Sequence, residues 1–400
     1  MKRSIKRVIG LPKKRKAAVQ TIPLFKVHMP KAAIQGVVRV LKSGYVSEGE
    51  VARRFEEKLQ AYLGNPHVAL VNSGTSALTI ALRLCGVGYG DEVITTPMTC
   101  LATNEPILLA GAHPVWADID SKSGNIDPHS IEKRITPRTK AVMVVHWAGN
   151  PVDLDAIGTL AKRHHLKVIE DAAHALGATY GGKKIGNHSD VVCFSFQAIK
   201  HLTTVDGGAV AVNSKEAYER AVLLRWFGCA REHTRAPVQW TGDVQEPGYK
   251  MHMNDFNASI GLAQLPFLDR IIRRHQSNAR YLAENLKDVP ELELPVVSRR
   301  AESSFWIFTV KTPDAAFRDR FSRELLSRGI ANGIVHQRND RYALFADFRR
   351  DDLPGTDDFC SRMINIPCGW WLWKEDMTYM VRGIKDAAAA AKMHGDYYTE

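Results

Sequence analysis

Two stretches decide the fold: Lys167-Val168-Ile169-Glu170-Asp171-Ala172-Ala173-His174 and Phe194-Ser195-Phe196-Gln197-Ala198-Ile199-Lys200-His201, the second followed by the glycine turn Asp206-Gly207-Gly208. In the first, the short run Lys167-Val168-Ile169 ends in Glu170 to His174, and in the second, Lys200 follows just after a predicted buried strand, so that polar residues gather at strand ends. A lysine, a carboxylate and a serine at strand ends are what a pyridoxal 5'-phosphate site requires. The lysine (Lys200) forms the Schiff base, the carboxylate (Asp171) keeps the pyridine nitrogen protonated, and the serine (Ser195) takes phosphate.

Working outward, the chain alternates helical and strand patterns joined by short glycine- or proline-marked turns. That pattern predicts an α/β fold with a mostly parallel sheet between helices. Strands are expected over 67–71, 92–95, 141–147, 167–170, 191–196 and 209–212, and one helix is expected around 258–272. Beyond it the texture changes to a strand over 306–310 and helices over 315–328 and 377–392, which predicts a smaller C-terminal α/β domain. The expected division is an N-terminal arm (1–20), a large cofactor-binding domain (21–270) and a small domain (271–400).

Asn72-Ser73-Gly74-Thr75-Ser76 passes from a strand into a helix. The free N–H groups of a first helical turn, with the helix dipole, favour an anion, and this makes Thr75 and Ser76 the candidate phosphate seat. In isolation the same residues would read as an ordinary N-cap. Gly86-Val87-Gly88-Tyr89-Gly90 follows a helix and precedes a strand, the wrong context for a dinucleotide fingerprint, and is read as a turn.

The 400 residues carry a formal charge of +11. Lys2, Arg3, Lys6, Arg7, Lys13, Lys14, Arg15 and Lys16 account for +8 of it, which leaves +3 for the remainder. The arm is read as solvated and disordered rather than as a nucleic-acid module, and it lacks the apolar core of a secretory signal. No stretch approaches the roughly 20 apolar residues of a membrane span. The six cysteines form no C-x-x-C pair, which predicts reduced thiols, a cytoplasmic location and no metal site.

The ordered succession Ser73-Gly74-Thr75-Ser76-Ala77-Leu78, Gly90-Asp91-Glu92-Val93-Ile94, Glu170 to His174, Phe194-Ser195-Phe196, Lys200 to Gly208 and Gly248-Tyr249 to Asn254-Asp255 resembles the DegT/DnrJ/EryC1/StrS sugar aminotransferases. The resemblance implies a fold-type I pyridoxal-phosphate enzyme, a homodimer with shared active sites. The implied reaction moves an amino group from L-glutamate to a keto or aldehyde sugar, usually nucleotide-linked. It also implies that Lys200, Asp171 and His174 are catalytic, with His174 at the ring oxygen or face, and that Thr75, Ser76 and Ser195 hold the phosphate.

Three positions depart from the family pattern. Cys100 stands where many relatives place an aromatic ring against the cofactor. Lys250 stands where an asparagine commonly reaches the neighbouring subunit's phosphate, and His201 replaces an asparagine beside the lysine. Some members in which histidine replaces the lysine are dehydratases, so a sugar dehydratase is the alternative on the same fold, although Lys200 is retained here, and a ligand-sensing regulator is the alternative from another class. His336-Gln337-Arg338-Asn339-Asp340 reads either as a sugar-binding loop or as a surface salt-bridge cluster. Gly369-Trp370-Trp371-Leu372-Trp373 reads as packing or as a stacking surface.

Overall fold

The computed structural model describes residues 21–229 and 243–393; the basic arm lies outside them. In chain order the strands are β1 (Val68–Val71), β2 (Glu92–Thr95), β3 (His113–Trp116), β4 (Thr139–Val145), β5 (Lys167–Asp171), β6 (Thr179–Tyr180), β7 (Lys183–Lys184), β8 (Val191–Ser195), β9 (Gly208–Val212), β10 (Ala301–Glu302), β11 (Phe308–Lys311) and β12 (Met363–Ile366). The main sheet has the order β1-β9-β8-β5-β4-β2-β3. Only β9 runs against its neighbours, so the other strands of this sheet end on a common edge.

Residue alternation explains how this sheet is covered on both faces. Val68, Leu70, Val168, Val192 and Phe194 point into one core with the helices Glu50–Leu63 and Leu154–Arg163. Their neighbours Ala69, Val71, Ile169, Val191 and Cys193 point into the opposite core, under the helix Gly74–Leu84. Burial on both faces is why these strands read as continuous apolar runs. Pro114 sits in β3, at the sheet edge, where a missing N–H costs least.

A further core gathers β11, β12 and the helices Ala315–Ser327 and Lys374–Met393, and this is the smaller α/β domain. The helix Leu268–Leu286 ties the two domains together. Its Leu268 and Ile272 belong to the sheet core, and its Ala279, Leu282 and Leu286 to the small-domain core. Ile22 also packs in the small domain, bridging to Ile330.

The expected single helix around 258–272 is in fact two, Asp255–Gln264 and Leu268–Leu286, with a 3-10 turn at Leu265–Phe267 between them. Pro266 lacks the N–H needed to continue an α-helix. The strand expected to reach Trp147 stops at Val145, because the chain turns at His146 and Ala148 adopts a left-handed φ of 54°. The strand expected from Trp306 begins at Phe308, since the Trp306 N–H is spent on the Ala148 carbonyl at 2.8 Å.

Candidate active site

The carboxyl edge of the main sheet brings the two diagnostic stretches together. Asp171 closes β5 and pairs with Cys193 of the adjacent β8, while Ser195 closes β8 and Lys200 lies in the turn beyond it. Across from them, Ser73 caps the helix Gly74–Leu84 by accepting the Ser76 N–H at 3.0 Å, and the Ser76 hydroxyl donates to Asn72 Oδ1 at 2.6 Å. A Cβ on Gly74 would lie 2.8 Å from Ser195 Cβ, so glycine is what lets this helix terminus approach the serine. Hydroxyl and first-turn N–H groups thus converge where the helix dipole favours an anion, and a phosphate dianion fits such a cradle. Ser76 divides its N–H between that role and the Ser73 cap.

Asp171 is buried and held at both oxygens. Thr103 Oγ1 donates to Oδ2 at 2.7 Å, and the Ala173 N–H donates to Oδ1 at 3.0 Å. Thr103 is in turn bonded to the Thr99 hydroxyl at 2.7 Å. Thr103 lies in the first turn of the helix Leu101–Leu109 and Thr99 just before its N-cap, Cys100, four positions earlier. That spacing is the only signal of their role in the sequence, and it does not reveal which carboxylate they serve.

Lys200 keeps part of its surface exposed. Burial is nevertheless the largest influence on its amine, lowering the pKa from 10.5 to about 8 against the opposing pull of Asp171. The amine lies 4.1 Å from the centre of the Trp306 ring. His174 stacks on that ring at 3.8 Å and 12°, and His336 lies parallel to His174 at 5.6 Å. Burial, followed by the charge of Lys200, holds His174 well below its usual range and lowers His336 to about 4, so both imidazoles are neutral at pH 7. His174 Nδ1 and His336 Nε2 are buried polar atoms with no hydrogen-bond partner among the described residues. Unpaired polar atoms in such a place are what a ligand would satisfy.

Cys100 is exposed at the N-terminus of the helix Leu101–Leu109, near enough to Lys200 to act on its charge. Lys250 is exposed and bridged to Trp226, and its neighbour Met251 accepts the Asn72 N–H at 2.7 Å beside the end of β1.

The loop 336–340 matches neither of its sequence readings as a unit. Arg338 and Asp340 form a bidentate ion pair with both contacts at 2.7 Å, but the pair is buried rather than superficial. Asn339 bonds Asn104 and the Thr99 carbonyl, each at 2.8 Å, and so pins the small domain to the segment that carries Thr103. Only His336 joins the group around Lys200. The tryptophans also divide, with Trp371 packed against the small-domain core, Trp370 edge-on to His28, and Trp373 exposed under Arg274.

A phosphate cradle, an oriented carboxylate and a lysine amine, set on the carboxyl edge of this sheet, define a pyridoxal-phosphate-dependent aminotransferase. The chain belongs to the DegT/DnrJ/EryC1/StrS aminotransferase family, whose model matches residues 28–385. It is 33% identical over 375 residues to the spore coat polysaccharide biosynthesis protein SpsC of Bacillus subtilis, covering 90% of this chain and 95% of SpsC. Among solved structures, AtS13 from Actinomadura melliaura superposes with a TM-score of 0.87 at 41% identity, covering 93% of this chain and 100% of that one. The sugar aminotransferase CalS13 from Micromonospora echinospora superposes with a TM-score of 0.86 at 38% identity, over 91% and 99% of the two chains.

Proposed function

We infer that the protein transfers the amino group of L-glutamate to a keto or aldehyde sugar, supplied in nucleotide-linked form, for amino-sugar biosynthesis in the cytoplasm. The observation that carries this reading is the placement of Lys200, Asp171 and Ser195 on one sheet edge in a chain whose relatives include a sugar aminotransferase and a polysaccharide-biosynthesis protein.

Pyridoxal phosphate, when bound, supplies the electron sink that stabilises negative charge at the substrate carbon. In this reading Lys200 attaches the cofactor covalently. Once released, its amine has a pKa near the working pH and carries the proton between carbons. Asp171, oriented by Thr103, pairs with the pyridine nitrogen, while Ser195 and the amides of Thr75 and Ser76 hold the phosphate. His174, whose Nδ1 has no partner among the described residues, would contact the ring oxygen or the ring face, and Cys100 would border the ring.

The assembly is a homodimer with shared sites. Helix Lys31–Ser43 exposes Ile34, Val38 and Leu41 on one side, continued by Tyr45 and Val46, an apolar stripe that a second copy would cover. Lys250 then reaches the partner's phosphate. Domain limits near residues 20 and 270 belong to the same reading.

The test is a half-reaction. Glutamate alone should release 2-oxoglutarate in an amount equal to the bound cofactor, and mass spectrometry of a keto-sugar panel should find nitrogen in the product. Catalytic 2-oxoglutarate release without acceptor, or a deoxygenated product lacking nitrogen, would overturn it.

A further inference from the structure

Trp306 is fixed to a degree that packing alone does not require. Its backbone N–H donates to Ala148 O at 2.8 Å, its Nε1 donates to Ile199 O at 2.9 Å, and Phe25 stacks on its ring at 4.8 Å. The two preceding residues are clamped as well. Ser304 N–H donates to Gly149 O at 3.1 Å, and the Ser304 hydroxyl donates to His174 O at 2.8 Å. His201 Nε2 donates to Ser304 O at 3.1 Å, and His275 Nδ1 donates to Phe305 O at 2.9 Å.

Two non-glycine residues on either side of these contacts hold left-handed backbone, Ala148 at φ 54° and Phe305 at φ 47°. Such conformations are costly and persist where the surroundings over-determine them, often at functional sites. All of this ordering presents the indole ring to two groups, the Lys200 amine at 4.1 Å and the His174 ring at 3.8 Å.

We propose that Trp306 is a positioning residue for amino transfer, its ring holding the Lys200 amine and the His174 imidazole in register whenever the lysine is not bonded to cofactor. The proposal rests on Lys200 being the covalent lysine. A ring face attracts an ammonium more than a neutral amine, so the contact steadies the lysine in its protonated state, between proton uptake and proton return. His201, which replaces the family's asparagine, then acts by holding the backbone that carries the ring.

The test uses cofactor-free full-length protein. Lys200 acylation is followed by peptide mass spectrometry across pH in wild type, W306L and W306F. Loss of the ring face in W306L should move the inflection down by about one pH unit, making the amine about tenfold more reactive at a fixed pH below it, while W306F keeps the wild-type inflection. An unchanged or raised inflection in W306L, or an equal shift in W306F, would overturn the proposal. If circular dichroism shows W306L unfolded, W306M carries the same comparison. Borohydride trapping on cofactor-loaded wild type separates the two ideas: a pyridoxyl group on another lysine removes Lys200 from its role, whereas the inflections measure the Trp306 contact itself.

Discussion

At the scale of single residues, the site depends on side chains that hold other side chains. Thr103 touches Asp171 and no group that reacts. T103V removes the 2.7 Å hydrogen bond to Oδ2 and leaves that carboxylate oxygen without the donor. A hydrogen bond to a charged group is worth about 1.5–3 kcal/mol, so T103V should weaken cofactor binding by roughly 10- to 100-fold in an absorbance titration, and T103S should restore it. Equal affinity in T103V and wild type would mean that the Ala173 amide alone orients Asp171. Asp171 and Lys200 stand out in the sequence because an acid closing an apolar strand and a lysine in the turn after one are distinctive residue types there. Thr103 and Trp306 do not, because threonine on a helix and an aromatic beside a strand are ordinary until a partner is seen.

At the scale of elements, the phosphate cradle exists because the helix Gly74–Leu84 begins against the end of β8. G74A would place a methyl 2.8 Å from Ser195 Cβ, and either the helix or the strand end must then move. Far-ultraviolet dichroism should stay close to wild type while cofactor affinity falls by roughly 5- to 150-fold, since one N–H donor contact displaced costs about 1–3 kcal/mol. Wild-type affinity in G74A would show that the cradle adjusts without loss.

At the scale of the whole molecule, His275 links the two domains. It stands on the helix shared by both cores and donates to Phe305 O, and burial lowers its pKa from 6.5 to about 4. Between those values the unfolded chain binds more protons than the folded one. The stability tied to this neutral imidazole is therefore complete above about pH 6.5 and is lost as pH falls toward about 4. H275Q keeps a donor and cannot titrate. Its unfolding free energy should fall less between pH 7 and pH 4.5 than that of wild type, by on the order of 2 kcal/mol, in urea titrations at each pH. Identical pH slopes would show that His275 does not carry the acid sensitivity.

Assembly supplies the other prediction at this scale. If Lys250 serves the partner's phosphate, K250A should weaken cofactor binding by about 1.5–3 kcal/mol. Mixing inactive K200A with impaired K250A subunits should then restore activity, because a hybrid dimer has one site with both lysines. No recovery in a mixture shown by native mass spectrometry to contain hybrids would place Lys250 outside the partner's site.

The sequence by itself determined the α/β class, the two strands leading to Asp171 and Ser195 to within a residue, and a strand-to-helix turn at Asn72 to Thr75, because apolar runs, periodicity and glycine turns act over a few residues. Tertiary structure decided what those features face. Arg338 and Asp340, in a loop that reads as sugar-binding or as a surface salt-bridge cluster, form a buried clamp. His336 is separated from His174 by 162 positions along the chain yet stacks parallel to it, and Trp306 reaches Lys200 only because Ala148 and Phe305 take left-handed backbone that no local propensity favours. Contacts of that kind arise from how two domains close on one another, and a linear pattern holds no record of that closure.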